Sequence, residues 1–327
     1  MDTALKVGIL GASSFIGKNL LLQVPSNWEV YAFYNTNDQF PKWVSKYCTI
    51  KPNLIQGDLT DPNSDVYTLA ALKLDLVISL VGNTKHVPTE WQPMYDLQVN
   101  THTVINFLNY FSCKKFILFS AGLVYEGHRG FVSVEKTMPM PFHPYGISKL
   151  ASEGYVRYFK DIGKIDSFII IRLFGVYGIH DHPRRLPYRL IKQFAFNQNP
   201  QFEILGDGTN HWDAIYVTDV VNWLQLIIEN DDIENEIYDF GNPEPLSINQ
   251  VINGVGKLFG IKPQIFKTGF ANENARFQVG NSYYQFMKEP YYELRVDFEQ
   301  GIMKIKEFME QHPEIYLKED CKGGLGV

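Results

Sequence analysis

The feature that most constrains this chain is an alternation of short apolar runs with amphipathic stretches. KVGIL, EVYAFY, LDLVISLV and KKFILFS are separated by stretches such as FIGKNLLLQV and THTVINFLNYF. A run that is apolar at nearly every position suits a strand covered on both faces, and helical patterns between such runs supply the crossovers that parallel strands need. A further run, SFIIIRLFGV at 167–176, follows the helical pattern YGISKLASEGYVRYFKDIG. The order predicts an α/β fold built on a doubly wound parallel sheet. After about residue 180 the rhythm is lost: Pro183, Pro187, Pro200, Gly206, Gly208, Pro243 and Pro245 punctuate short helical segments. The expected organisation is a first domain over 1–180 and a smaller α/β lobe over 181–327. Some segments of the lobe are expected to return to the first domain, and the lobe closes over the carboxyl ends of the strands.

The chain has 327 residues, 45% hydrophobic and 20% charged, enough for more than one core. Its net charge of −6, with lysine and arginine scattered, offers nothing to nucleic acid or to an anionic membrane surface, so a small-molecule partner is expected. Cys48, Cys113 and Cys321 are odd in number and far apart, which suits buried thiols in a reducing compartment and argues against a disulfide framework or a metal site. The opening MDTALKVGIL does not read as a signal peptide, and no apolar run reaches the length of a membrane span, so a cytoplasmic protein is expected.

The first strand-to-helix turn reads GILGASSFIGKNLL, with Gly8, Gly11 and Gly17. Glycines in that place permit a tight turn and close backbone approach, and the following helix start offers free N–H groups to a phosphate. Further on, GDLTD sets Asp58 where a carboxylate can accept from an adenine amino group, although an aspartate there also suits a turn. With these motifs, the chain contains Asn100 in QVNTHTVINFL, VY at 124–125, PYGISK at 144–149, RLFGVYG, GDGTNHWDAIYVTDVV and DFEQGI. Together they resemble the extended short-chain dehydrogenase/reductase family, whose members include nucleotide-sugar epimerases, dehydratases and ketosugar reductases. The resemblance spans almost the whole chain. It implies a Rossmann-type domain holding NAD or NADP and a lobe that grips a sugar or nucleotide sugar. It places the cofactor against Gly11, Ser13, Ser14, Phe15, Ile16, Gly17, Asn35, Asp58, Leu59, Val81, Gly82, Asn100 and Phe174 as well as the reacting pair. It also implies a homodimer formed through the helices of THTVINFLNYF and YGISKLASEGYVRYF.

Tyr145 and Lys149 lie four apart on a helical segment, so both project from one face. An ammonium close to a phenol favours the phenolate and is expected to lower its pKa from about 10, making Tyr145 a general acid/base for a sugar hydroxyl or ketone. The resemblance adds a second role for Lys149, holding the nicotinamide ribose. It also implies an assisting hydroxyl four residues before the tyrosine of VY, but counting back from Tyr125 reaches Ala121. Ser120 is one place earlier, which on a strand is the opposite face. Either the strand end is irregular and turns Ser120 into the pocket, or the chain works without that hydroxyl. The acidic pair that dehydratases carry at this point is Gly122 and Leu123 here, which disfavours dehydration.

Other positions depart from the family pattern. Ser14 replaces the middle glycine of the phosphate loop. The second strand ends in Tyr34, Asn35 and Thr36 without the aspartate typical of NAD-specific members, a slight lean toward NADP. Gly175 stands for the usual asparagine, and Trp212 for the arginine that grips the nucleotide diphosphate. Arg184, Arg185, Arg189 and Arg276 are possible replacements, Trp212 could stack on a sugar or fill a core, and Lys85 and His86 follow a strand end that could face the pocket. The expected activity is reversible oxidation or reduction of one sugar carbon, as an epimerase or a ketosugar reductase. Tyr145, Lys149 and Ser120 are the catalytic candidates, and Lys85, Ala121, Arg185, Trp212 and Arg276 are the substrate candidates. The alternatives are a non-catalytic dinucleotide- or sugar-binding protein that keeps the fold, or a reductase of a non-nucleotide substrate.

Overall fold

A computed structural model describes residues 4–83, 92–128, 130–268, 278–280 and 294–317. Strands β1 (Leu5–Leu10), β2 (Trp28–Tyr34), β3 (Asn53–Gln56), β4 (Leu74–Ser79) and β5 (Cys113–Ala121) alternate with helices α1 (Phe15–Leu21) and α2 (Phe40–Tyr47) and a longer continuous helical stretch that begins with α3 (Pro93–Asp96) and ends with α4 (Thr103–Tyr110). The short β6 (Gly130–Val132) precedes α5 (Pro144–Asp161) and β7 (Ile165–Leu173). Then come β8 (Val176–Tyr177), α6 (Leu186–Ile191), β9 (Gln201–Leu205), β10 (His211–Trp212), β11 (Ile215–Tyr216), α7 (Val217–Glu229) and β12 (Glu236–Phe240). The last described elements used below are β13 (Leu246–Ser247), α8 (Ile248–Leu258), β14 (Gln264–Thr268), β15 (Gln278–Gly280) and α9 (Phe298–Gln311).

The central sheet has seven strands in the order β12, β7, β5, β4, β1, β2, β3. Each neighbouring pair is parallel. The chain starts in the interior at β1, runs outward to β3, then crosses to β4 and continues the other way, which is the doubly wound pattern of the Rossmann type. The near-continuous apolar runs follow from burial on both faces. Val7, Ile9, Ile117, Phe119, Ile169 and Ile171 face one layer containing Leu20, Val220 and Leu224 of α1 and α7. The intervening Leu10, Phe116, Leu118, Phe168 and Ile170 face the other, with Phe107, Val156 and Phe159 of α4 and α5. A third core joins α6, α8 and α9 around Tyr188, Phe194, Val251, Ile302 and Ile305. Small sheets surround it, β14 on β9 and β10 on β13.

Between α3 and α4 the helix widens into a π stretch, Leu97–His102. Such stretches displace one residue from the regular register and often occur at functional sites. Here the stretch carries Asn100, which is buried at 2% exposure.

Candidate active site

The glycine turn is built by backbone contacts. Gly11 has φ +77, a left-handed conformation that glycine adopts without strain, and a side chain there would press on Val81. A Cβ on Gly17 would stand 2.5 Å from the Ala12 carbonyl oxygen, so only glycine lets α1 begin this close to the turn. Ser14 is the N-cap of α1, and its Oγ accepts from the Gly17 N–H at 3.1 Å. The replacement of the family's glycine therefore caps the helix with the added hydroxyl. Ser13, Phe15 and Ile16 are half-buried, and Phe15 and Ile16 also pack against the third core.

At the adenosine end, Asn35 is exposed and its carbonyl accepts from Gln56 Nε2 at 3.1 Å. The same amide reaches Asp38 Oδ1 at 3.5 Å, so the fold brings a carboxylate beside Asn35 that the sequence reading did not count. Asp58 Oδ1 accepts from both the N–H and the hydroxyl of Thr60 at 2.8 Å, the turn geometry foreseen as its plainer role. Leu59 is buried, and its carbonyl accepts from the Tyr67 hydroxyl at 2.7 Å.

The pair on α5 is held from several sides. Pro144 opens the helix after His143, whose ring pairs with Glu126 and whose N–H donates to Glu126 Oε2 at 3.0 Å. Lys149 is 3% exposed, and its ammonium donates to the carbonyls of Val81 and Phe119, each at 2.9 Å. It lies 5.9 Å from the centroid of the Tyr145 ring. Asn100 Nδ2 donates to Ser148 Oγ at 2.8 Å, and its Oδ1 accepts from the Asn83 N–H at 2.8 Å. Asn83 Nδ2 in turn donates to Asp96 at 2.9 Å. Gly82 sits against Lys149 and Asn100. Lys149, Tyr145, Asn100, Val81 and Gly82 thus converge at the carboxyl ends of β4 and β5.

The electrostatics correct one expectation. Desolvation, reinforced by the Asp96 carboxylate, pushes the Tyr145 phenol up to about 12, with Arg185 pulling the other way. Burial pulls the Lys149 ammonium down to about 8, opposed by Glu153. Lys149 is not among the groups that pull the phenol down. Two of its three N–H groups donate to backbone carbonyls, and the cost of burying a phenolate exceeds the help of a cation 5.9 Å from the ring centroid.

Ser120 is also corrected. β5 keeps regular pairing to its end, Ser120 opposite Arg172 and Ala121 opposite Leu173, so no irregularity redirects the serine. Its hydroxyl faces α5 and donates to Glu153 Oε1 at 2.6 Å, away from the role of an assisting catalytic hydroxyl. Ala121 is buried where β5 passes into the Gly122–Tyr125 turn. Phe174 packs over Gly122 and stacks with Tyr125, ring centroids 6.1 Å apart.

In the lobe, a Cβ on Gly175 would fall 2.1 Å from the Asp213 carbonyl oxygen, so the family's asparagine has no room. Trp212 packs on Tyr177 at 4.8 Å and edge-on to Phe298 at 6.1 Å, which favours its core role over stacking on a ligand. Arg189 lies over the Phe202 ring at 5.1 Å. Arg185 stands at the N-cap of α6, is 3.7 Å from Asp181, and among the described arginines of that group is the one that acts on Tyr145. Lys85, His86 and Arg276 lie outside the described residues. Sequence reading missed Asp96, Asn83, Glu153 and Arg172. The helical spacing of Lys149 and Glu153 was available in the sequence, but Asp96 and Asn83 approach only through the π stretch and loop geometry.

A model of the NAD dependent epimerase/dehydratase family matches residues 7–241. A Bacillus subtilis (strain 168) protein described as an uncharacterized UDP-glucose epimerase, YtcB, is 27% identical over 277 residues, 79% of this chain and 83% of the relative. The structure of MoeE5 in complex with UDP-glucose and NAD is 26% identical, with a TM-score of 0.79 over 94% of this chain and 99% of that one. The UDP-glucose 4-epimerase of Thermotoga maritima shares the fold at a TM-score of 0.81, with 19% identity over 94% of this chain and 100% of that one.

Proposed function

Because the chain belongs to the NAD-dependent epimerase/dehydratase family, we propose that it is a nucleotide-sugar epimerase that inverts one carbinol carbon of a UDP-linked sugar. The observation that carries this reading is the convergence of Tyr145, Lys149 and Asn100 at the ends of β4 and β5, above a glycine turn open to close approach. The UDP-glucose and NAD bound by MoeE5, and the names of the epimerase relatives, supply the substrate class.

The turn at Gly11–Gly17, with Ser13, Val81, Gly82 and Lys149, fits a dinucleotide. That group, when bound, supplies a carbon that accepts a hydride and returns it. NAD is the cofactor we favour over NADP, since Asp38 beside Asn35 disfavours a 2′-phosphate. Tyr145 in its resting state holds its proton, the form that donates to a ketone oxygen. Arg185 draws it toward the phenolate that must take a proton from a carbinol. With Ser120 committed to Glu153, the reacting oxygen is held by Tyr145 without that hydroxyl. Arg185 is the side chain we assign to the substrate anion, replacing the grip that Trp212 does not provide, and segments after residue 180 form the gripping lobe.

We also assign a homodimer to the face of α3, α4 and α5. Met94, Tyr95, Tyr110, Tyr155, Tyr158 and Ile162 are exposed there, Met94 by 71%. No helix among the described residues is long and apolar enough to cross a membrane, and we place the protein in the cytoplasm. Incubation with UDP-glucose and UDP-glucuronic acid, with the sugars resolved by chromatography, tests the activity. An epimer forms without net change in nicotinamide absorbance, and Tyr145→Phe lowers kcat by roughly 100- to 10,000-fold while NAD binding persists. Net NADH consumption would instead identify a reductase, and no conversion of either sugar would defeat the reading.

A further inference from the structure

Beneath the reacting pair lies a buried polar network that the proposed reaction does not use directly. Glu153, fully buried on α5, accepts from Ser120 Oγ at 2.6 Å and from Arg172 Nε and Nη2 at 3.0 and 2.7 Å. Arg172 Nη1 donates to the Tyr125 hydroxyl at 2.5 Å, and that hydroxyl donates to Asp239 at 3.1 Å. Asp239 also accepts from the Val134 N–H at 2.8 Å. The network ties α5, β5, β7, β12 and the turn after β5 together, and Ser120, Tyr125, Arg172 and Asp239 are each 5% exposed or less.

Two details link it to Lys149. Glu153 is one helical turn after Lys149, so the two side chains share a face of α5. Ser120, which Glu153 holds, directly follows Phe119, whose carbonyl accepts from the Lys149 ammonium. A buried ammonium on two neutral carbonyls has no counter-charge in direct contact, and a nearby carboxylate offsets part of its desolvation. Among the charged and titratable groups of the described residues, Tyr145 lies beside Lys149 on α5 with Asp96 of α3 acting on that phenol, and Glu153, one turn on, is paired with Arg172 of β7 and stands 3.8 Å from Arg157 of α5. Glu153 is the carboxylate whose charge acts on Lys149.

We propose that Glu153 is a positioning residue for the reaction: it holds Lys149 in its charged form through the buried region and fixes, through Ser120, the strand end whose Phe119 carbonyl receives that ammonium. The role rests on Lys149 being the cofactor-facing lysine of the epimerase reading, but its electrostatic part is measurable without cofactor or substrate. It also accounts for the serine at this position, which serves the carboxylate.

The test is an NMR titration of the ligand-free chain labelled with 13Cε-lysine, the Lys149 resonance being assigned by its loss in Lys149→Met. Glu153→Gln moves the midpoint of Lys149 about one pH unit lower than in the unaltered chain, and Ser120→Ala, which keeps the carboxylate and loses only its hold on the strand end, lowers it by less. Since Glu153→Gln strands Arg172 and can fail to fold, Glu153→Leu with Arg172→Met is measured beside it, because a buried ion pair replaced by apolar groups generally keeps the fold. The double variant, which removes the guanidinium charge together with the carboxylate, shows a smaller lowering of the same sign, because Glu153 and not Arg172 is the group that raises Lys149. An unchanged midpoint in whichever of these folds, judged by circular dichroism, overturns the proposal. Failure of the epimerase reading shows separately, as no sugar conversion with the titration intact.

Discussion

The glycine turn at the start of the chain and the Gly175 turn in the lobe both exclude a side chain by close backbone approach, with opposite consequences. At Gly17 the missing Cβ lets α1 begin against the Ala12 carbonyl, preserving the turn that a dinucleotide needs. At Gly175 the missing Cβ lets the Asp213 backbone occupy the space that a side chain would take. Trp212 completes the second change by packing on Tyr177 and Phe298. The first close approach shapes a turn with backbone N–H groups at a helix start, while in the lobe both positions serve packing.

The comparison can be broken most directly by adding side chains at both glycines. Gly175→Asn, which restores the residue of relatives, is expected to destabilise the chain by about 2–4 kcal/mol in chemical denaturation without improving UDP-sugar affinity. Gly17→Ala is expected to cost a similar amount and also to weaken NAD binding at least tenfold by titration calorimetry. Improved UDP-sugar affinity in Gly175→Asn would show that the lobe still has the old subsite.

A smaller effect separates function from stability within the cofactor end. Lys149 is held at about 8, below its ordinary value, so the folded chain disfavours its ammonium. The cost is present below about pH 8 and is relieved as pH rises toward the unfolded value. Lys149→Met should therefore raise stability near pH 7 by roughly 1–2 kcal/mol, with the gain shrinking by about pH 10, while cofactor affinity falls. Thermal unfolding across that range gives the sign.

Asp239 has the opposite slope. Burial pushes it up to about 7 against the pull of Arg172 and its hydrogen bonds. Its protonated form is favoured in the fold, so its contribution is full below the unfolded value near 4 and is lost as pH rises through about 7. Relative to Asp239→Asn, the unaltered chain should lose roughly 1 kcal/mol or more between about pH 5 and pH 8. Parallel stability curves would remove the charge from that part of the network. The smallest change expected is at Asn35→Asp, which should shift the preference further from NADP by a few-fold in comparative binding.

Much of the fold was legible because parallel strands covered on both faces leave continuous apolar runs, visible in KVGIL, LDLVISLV, KKFILFS and FIIIRL. The shared face of Tyr145 and Lys149 was legible for a related reason: a helix puts residues four apart on one side, while the catalytic role proposed for them comes from the family motifs around them. Ser120 was not. Its face follows from the strand period, but whether that face met a pocket or a carboxylate depended on Glu153 arriving from another element.

The sequence by itself determined the order of elements and the glycine turn, and it placed Tyr145 and Lys149 on one helix face, since each rests on local periodicity or on spacing within one element. The tertiary structure decided the charge states and the fate of the unusual positions. It set Asp96 and Arg185 on opposing sides of the phenol's balance, gave Ser120 to Glu153, and closed the Gly175 space with Asp213. Burial and the placement of distant charges come from packing between elements, and no pattern along the chain contains them.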